Sequence, residues 1–180
     1  MSLREHIKLS WVARLFLLFF FVTMSSHAIY RHFNGVAALH LVMGSDMEGY
    51  YQYLPYTFFK DKDITQMRWA RPYGEDRTLN VFTCGVAILE LPFFLVAHGV
   101  SELLEMENPG YNPAYYHTVL FAAIFYVFIG LYYLYKALRR FFNREASLLT
   151  ALLAFLATNL CFYTVLQPGV SQGDSFFVLS

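Results

Sequence analysis

The chain has 180 residues, of which 57% are hydrophobic and only 14% charged, and its formal net charge is +0. That composition excludes an ordinary soluble domain, and the balanced charge supplies neither the basic excess used on nucleic acid nor the acidic excess of a disordered tail. The expected fold class is an all-α integral membrane protein: about three transmembrane helices, plus an outer-face loop region with amphipathic or re-entrant helices.

Residues 9–30 read as the first span, since they are almost continuously apolar and about 20 residues suffice to cross roughly 30 Å of hydrocarbon. Trp11 and Tyr30 fall at its opposite interfaces. The apolar run is too long for a typical signal peptide, so the segment is expected to be an uncleaved anchor. Arg14 lies one turn inside, where its long side chain reaches the headgroups. Arg4 and Lys8 favour a cytoplasmic N-terminus.

Residues 31–113 form the expected outer loop region, and most of the chain's carboxylates gather there, with Arg68, Arg71 and Arg77 among them. Its sharpest motif is Ser45-Asp46-Met47-Glu48-Gly49-Tyr50-Tyr51. Acids two residues apart share a side in an extended segment and diverge on a helix, so only the extended form lets Asp46 and Glu48 hold one cation or proton. Equally, Ser45-x-x-Glu48 has the form of a capping box, which gives both residues a purely structural task. The run Lys60-Asp61-Lys62-Asp63 reads as a solvated turn. Arg68, Arg71 and Arg77 carry paired donors suited to phosphate, with headgroup contact or pairing to Glu75 and Asp76 as the plainer alternatives.

Residues 81–104 are long enough to span but carry Glu90, Pro92 and His98. With the N-terminus inside, a cytoplasmic Arg-rich loop after residue 136 demands an even number of intervening crossings. The segment is therefore expected to be interfacial or re-entrant. A full crossing, which would turn that loop outward, ranks second. Glu102, Glu105 and Glu107 suit the outer side.

Residues 114–136 form the second span, with Tyr115 and Tyr116 at one end and Tyr132, Tyr133 and Tyr135 about 25 Å away. Lys136, Arg139, Arg140 and Arg144 follow directly and mark the cytoplasmic side. Residues 147–166 form the third span, where Ala151, Ala154 and Ala157 make a small-residue stripe and Thr158 and Asn159 are expected to join helices. Cys84 and Cys161 have no metal-ligand spacing and imply no disulfide framework. Residues 176–180 look like the start of a further hydrophobic helix.

Three stretches resemble the N-terminal part of GT-C class membrane glycosyltransferases, in particular the bacterial protein O-mannosyltransferase and aminoarabinose transferase group. They are the Ser45 to Tyr51 motif, Cys84-Gly85-Val86-Ala87-Ile88-Leu89-Glu90-Leu91-Pro92-Phe93-Phe94, and Gln167-Pro168-Gly169-Val170-Ser171-Gln172-Gly173-Asp174-Ser175-Phe176-Phe177. The resemblance implies an enzyme of the bacterial inner membrane that transfers a sugar from a polyprenyl-phosphate donor at the outer face. By it, Asp46, Glu48 and Asp174 are the catalytic candidates, Arg71, Arg77, Tyr50 and Tyr51 the substrate-binding ones, and Asp46 with Glu48 a place for a divalent metal. Its partners are then the lipid-linked sugar donor and membrane lipids. Members of this class have many more spans, so the 180 residues are expected to be an N-terminal portion that is inactive alone.

The alternative from another class is a small non-catalytic membrane protein acting as a partner or assembly subunit. Nineteen Phe and fourteen Tyr would serve it equally well as interface anchors.

Overall fold

The computed structural model describes residues 11–59, 63–75 and 77–180. Arg4, Lys8, the first two residues of the expected anchor, the Lys60-Asp61-Lys62 part of the mixed-charge run, and Asp76 lie outside the described residues.

The described chain is mostly helical. α1 (Trp11–Asn34) is followed by three short helices, α2 (Ala38–Val42), α3 (Asp46–Tyr51) and α4 (Tyr53–Phe58). A small antiparallel hairpin then pairs β1 (Ala70–Pro72) with β2 (Thr78–Asn80), Arg71 facing Leu79 in register. α5 (Gly85–Leu103) and α6 (Pro113–Leu138) come next, then α7 (Arg144–Leu156), α8 (Asn159–Val165) and α9 (Gln172–Leu179). Three helices, α1, α5 and α6, are long and apolar enough to cross a membrane.

α6 is the centre of the assembly, and its neighbours explain why it is so apolar: α1, α2, α5, α7, α8 and α9 all pack on it. α1 runs antiparallel to α6. Phe16 near the start of α1 meets Tyr132 and Tyr135, Phe20 meets Phe128, and Arg31 near its end donates from Nη1 to His117 Nδ1 at 3.2 Å. Between two helices in lipid, such aromatic edge contacts act through dispersion and quadrupole geometry, because leaving a hydrocarbon solvent gives no hydrophobic gain.

α5 and α6 form an antiparallel hairpin. Phe93 packs on Phe121 and Phe125, Phe94 on Tyr115, and the Asn112 amide donates to Ser101 Oγ at 2.8 Å across the turn. The same Asn112 caps α6 by accepting from the Ala114 amide at 3.1 Å, with Pro113 in the first helical position. Within residues 81–104, expected to be interfacial or re-entrant, Gly85–Leu103 is one continuous helix whose length and composition also suit a span. Pro92 removes the amide that would bond the Ile88 carbonyl, and on the same turn the Tyr126 hydroxyl donates to the Leu89 carbonyl at 2.8 Å.

The third expected span, 147–166, is broken. α7 and α8 meet at 64°. Thr158 takes an extended backbone, accepts from the Leu160 amide at 3.2 Å and donates its hydroxyl to the Ala154 carbonyl at 2.6 Å. One side chain thereby satisfies a carbonyl orphaned by the end of α7 and an amide orphaned by the start of α8. The alanine stripe does not run through, since Ala151 is buried while Ala157 is exposed at the break.

Candidate functional site

The acidic motif folds as a helix, and that separates its two carboxylates. In α3, Ser45 is the N-cap residue, Asp46 points to solvent and Glu48 is buried. The capping box forms only in altered shape. Ser45 Oγ donates to the Leu41 carbonyl at 3.0 Å instead of capping, and Glu48 Oε2 accepts from the Gly44 amide, one residue before the cap, at 2.7 Å.

Glu48 is a fully engaged structural acid. Oε2 also takes a hydrogen bond from Arg68 Nη1 at 2.9 Å, and Oε1 one from Gln52 Nε2 at 2.9 Å. Arg68 lies at the same time over the Trp69 ring, 5.3 Å from its centre. These two contacts fix the guanidinium while leaving it about half exposed.

A divalent ion shared by Asp46 and Glu48 does not fit this arrangement. The two side chains diverge from the helix, and a guanidinium already occupies Glu48 at hydrogen-bond distance. Among the described residues no group of three His, Cys, Asp or Glu side chains gathers in metal-binding geometry.

The tyrosines separate as well. Tyr51 is wholly buried and its hydroxyl donates to the Gly110 carbonyl at 2.5 Å, with Phe94 and Tyr111 against its ring, so it belongs to the core. Burial pushes its phenol well above the ordinary value. Tyr50, one residue earlier, is half-buried and donates to Ser171 Oγ at 3.2 Å. Arg71 and Arg77 lie exposed on the hairpin, Arg71 donating to the Ala70 carbonyl at 2.9 Å.

Tyr50 reaches Ser171 across a cavity of about 510 Å³. Its walls come from Tyr50 on α3, from Thr83 and the first turns of α5, and from Ser171, Asp174 and Ser175 at the start of α9. The close approach of α9 to α6 depends on glycine at both contact points: a Cβ on Gly173 would sit 2.8 Å from Val127 Cγ2, and one on Gly130 3.0 Å from the Phe177 backbone.

Asp174 is the unusual member of the lining. It is 4% exposed, and neither carboxyl oxygen has a hydrogen-bond partner among the described residues. Behind the cavity wall Glu90, 1% exposed, has two equally orphaned oxygens. Native proteins rarely leave buried carboxyls unpaired, and where they do the group has a task beyond packing. Sequence reading takes Glu90 only as a charge arguing against a span. The signal that finds it is periodic: Val86, Glu90, Phe94, Ala97 and Ser101 make one buried stripe on α5.

Compared with known protein families, curated proteins and solved structures, the chain matches none.

Proposed function

We propose that the chain is the N-terminal part of a membrane glycosyltransferase of the GT-C type, taking a sugar from a polyprenyl-phosphate donor and passing it to an acceptor at the outer face of a bacterial inner membrane. One observation carries this reading. The three stretches on which the resemblance rests, dispersed over 130 residues of sequence, meet around a single cavity through Tyr50, the Gly85 to Leu89 turns and Ser171 with Asp174.

The roles follow from exposure and partners. Asp46 is solvent-facing and takes the proton of the acceptor hydroxyl as its oxygen bonds to the anomeric carbon; the bond from that carbon to the donor phosphate breaks, and the electron pair departs on the polyprenyl phosphate. Arg68, held by Glu48 and Trp69, meets the charge that grows on the departing phosphate. Glu48 acts through Arg68 and is a positioning residue. Asp174 and Tyr50 orient the sugar from the cavity wall. The lipid tail stays beside the apolar helices, which fixes the reaction at the membrane surface.

The test is sugar transfer from a polyprenyl-phosphate sugar by the full-length protein in vesicles. Asp46→Asn is expected to lower the rate by about 10²-fold or more. Wild-type rates in both Asp46→Asn and Asp174→Asn, with normal membrane levels, would overturn the proposal.

A further inference from the structure

A second apolar groove, of about 220 Å³, runs between α1 and α7. Leu15, Leu18, Phe19 and Val22 line one wall, Leu148 and Leu152 the other. One helical turn before the first lining residue on each side stand Trp11 and Arg144, and these two are stacked: the guanidinium carbon is 3.8 Å from the centre of the indole ring. The groove therefore ends at a fixed cation.

Stacking occupies the flat face of a guanidinium and leaves its rim of N–H donors free, which is the geometry that takes a phosphate through two parallel hydrogen bonds. Among the described residues no acceptor meets the Arg144 rim. The surrounding turn is also positive, since Lys136, Arg139 and Arg140 precede Arg144 and only Glu145 among residues 136–147 is acidic. Apolar walls alone select nothing in a bilayer, where every competitor is a hydrocarbon tail, so discrimination has to come from the headgroup end.

We propose that this groove holds one acyl chain of an anionic phospholipid whose phosphate is bound by Arg144. The proposal rests on the reading of the chain as membrane-spanning. It concerns the end of the bundle marked by Trp11 and the α6–α7 turn, away from the cavity around Tyr50 and Asp174.

The test places the full chain in nanodiscs of phosphatidylcholine with one quarter phosphatidylglycerol, then counts retained lipids by native mass spectrometry after mild detergent release. Wild type is expected to retain phosphatidylglycerol over phosphatidylcholine at about fivefold the ratio of the two in the bilayer, the factor that one basic group near an anionic headgroup contributes. Arg144→Ala is expected to return that ratio to the bilayer value. Leu152→Trp, which fills the groove and keeps the charge, is expected to release the lipid as well. Arg140→Ala, which removes a cation of the same turn outside the lining of this groove, should leave the preference intact. Should Arg144→Ala fail to insert, Arg144→Lys and Leu152→Trp decide the matter, both being expected to lower the ratio. A wild-type protein that retains lipids in the bilayer proportion, or equal loss in Arg140→Ala and Arg144→Ala, overturns the site. A chain that stays in solution without detergent overturns the membrane reading and the site together.

Discussion

The buried Glu48 carboxylate and the half-exposed Arg68 guanidinium meet at 2.9 Å, and the acid serves two further donors, the Gly44 amide and the Gln52 side chain. The two partners are therefore unequal. Glu48→Ala leaves a backbone amide and a buried side-chain amide without an acceptor and is expected to cost about 2 kcal/mol or more. Arg68→Ala removes a partly solvated ion pair and is expected to cost about 1 kcal/mol or less. Thermal unfolding of both variants in one detergent gives the comparison, and equal losses would contradict the asymmetry.

Gly49 lies beneath the Phe82 ring, and a Cβ there would run into ring carbons. Phe82 is itself wedged among Tyr50 and Trp69, so it has little room to yield. Gly49→Ala is expected to destabilise by about 1–3 kcal/mol. Combining it with Phe82→Leu should recover part of that loss, a coupling that a double-mutant cycle reads directly. Strict additivity would mean the ring is not the obstacle.

Burial pushes the Asp174 carboxyl up to about 7. In the unfolded chain an aspartate titrates near 3.9. Between those values the folded state holds a proton that the unfolded state has released, so this residue makes stability fall as pH rises from about 4 to about 7 and then level off. Asp174→Asn is expected to remove that slope and to be the more stable protein at pH 7. Unfolding midpoints from pH 4 to 8 check it; parallel curves for the two proteins would refute the assignment.

Asn112 joins three elements, capping α6, donating to Ser101 Oγ on α5 and donating to the Glu107 carbonyl at 3.1 Å in the turn between them. Asn112→Ala is expected to cost about 2 kcal/mol, the sum of a lost cap and an orphaned buried hydroxyl. Ser101→Ala should cost clearly less. Hydrogen exchange at residues 101–113 should speed up in the first variant and hardly change in the second.

Tyr50→Phe separates the cavity from the core. It deletes one half-buried hydrogen bond, to Ser171, and its stability effect should stay below about 1.5 kcal/mol. Sugar transfer should fall by considerably more than that energy implies if the hydroxyl orients substrate. An activity loss no greater than the stability loss would assign Tyr50 to packing.

How much of this was legible from the sequence varies with the kind of signal. The helices at 11–34 and 113–138 follow from unbroken apolar runs with aromatic ends, and the end of the first and both ends of the second fall within a few residues of those expected. The break at Thr158 was hidden because the segment contains neither Pro nor Gly, and the hydroxyl that permits it looks like any other polar residue of a span. The acidic motif announced Asp46 and Glu48 together, yet their fates depend on whether α3 is a helix, and a six-residue helix has too little periodicity to declare itself. Tyr50 and Asp174 were individually readable. That they line one cavity depends on long-range packing through Gly130 and Gly173, which no local pattern encodes.

Glu90 also constrains the order in which such a molecule assembles. Its carboxyl lies on the buried stripe of α5 that includes Phe94, which packs on Tyr115 of α6, so α5 entering a bilayer by itself would expose an acid to hydrocarbon at a cost of roughly 3 kcal/mol. Delivery of α5 and α6 as a paired unit hides the acid from the first moment of insertion.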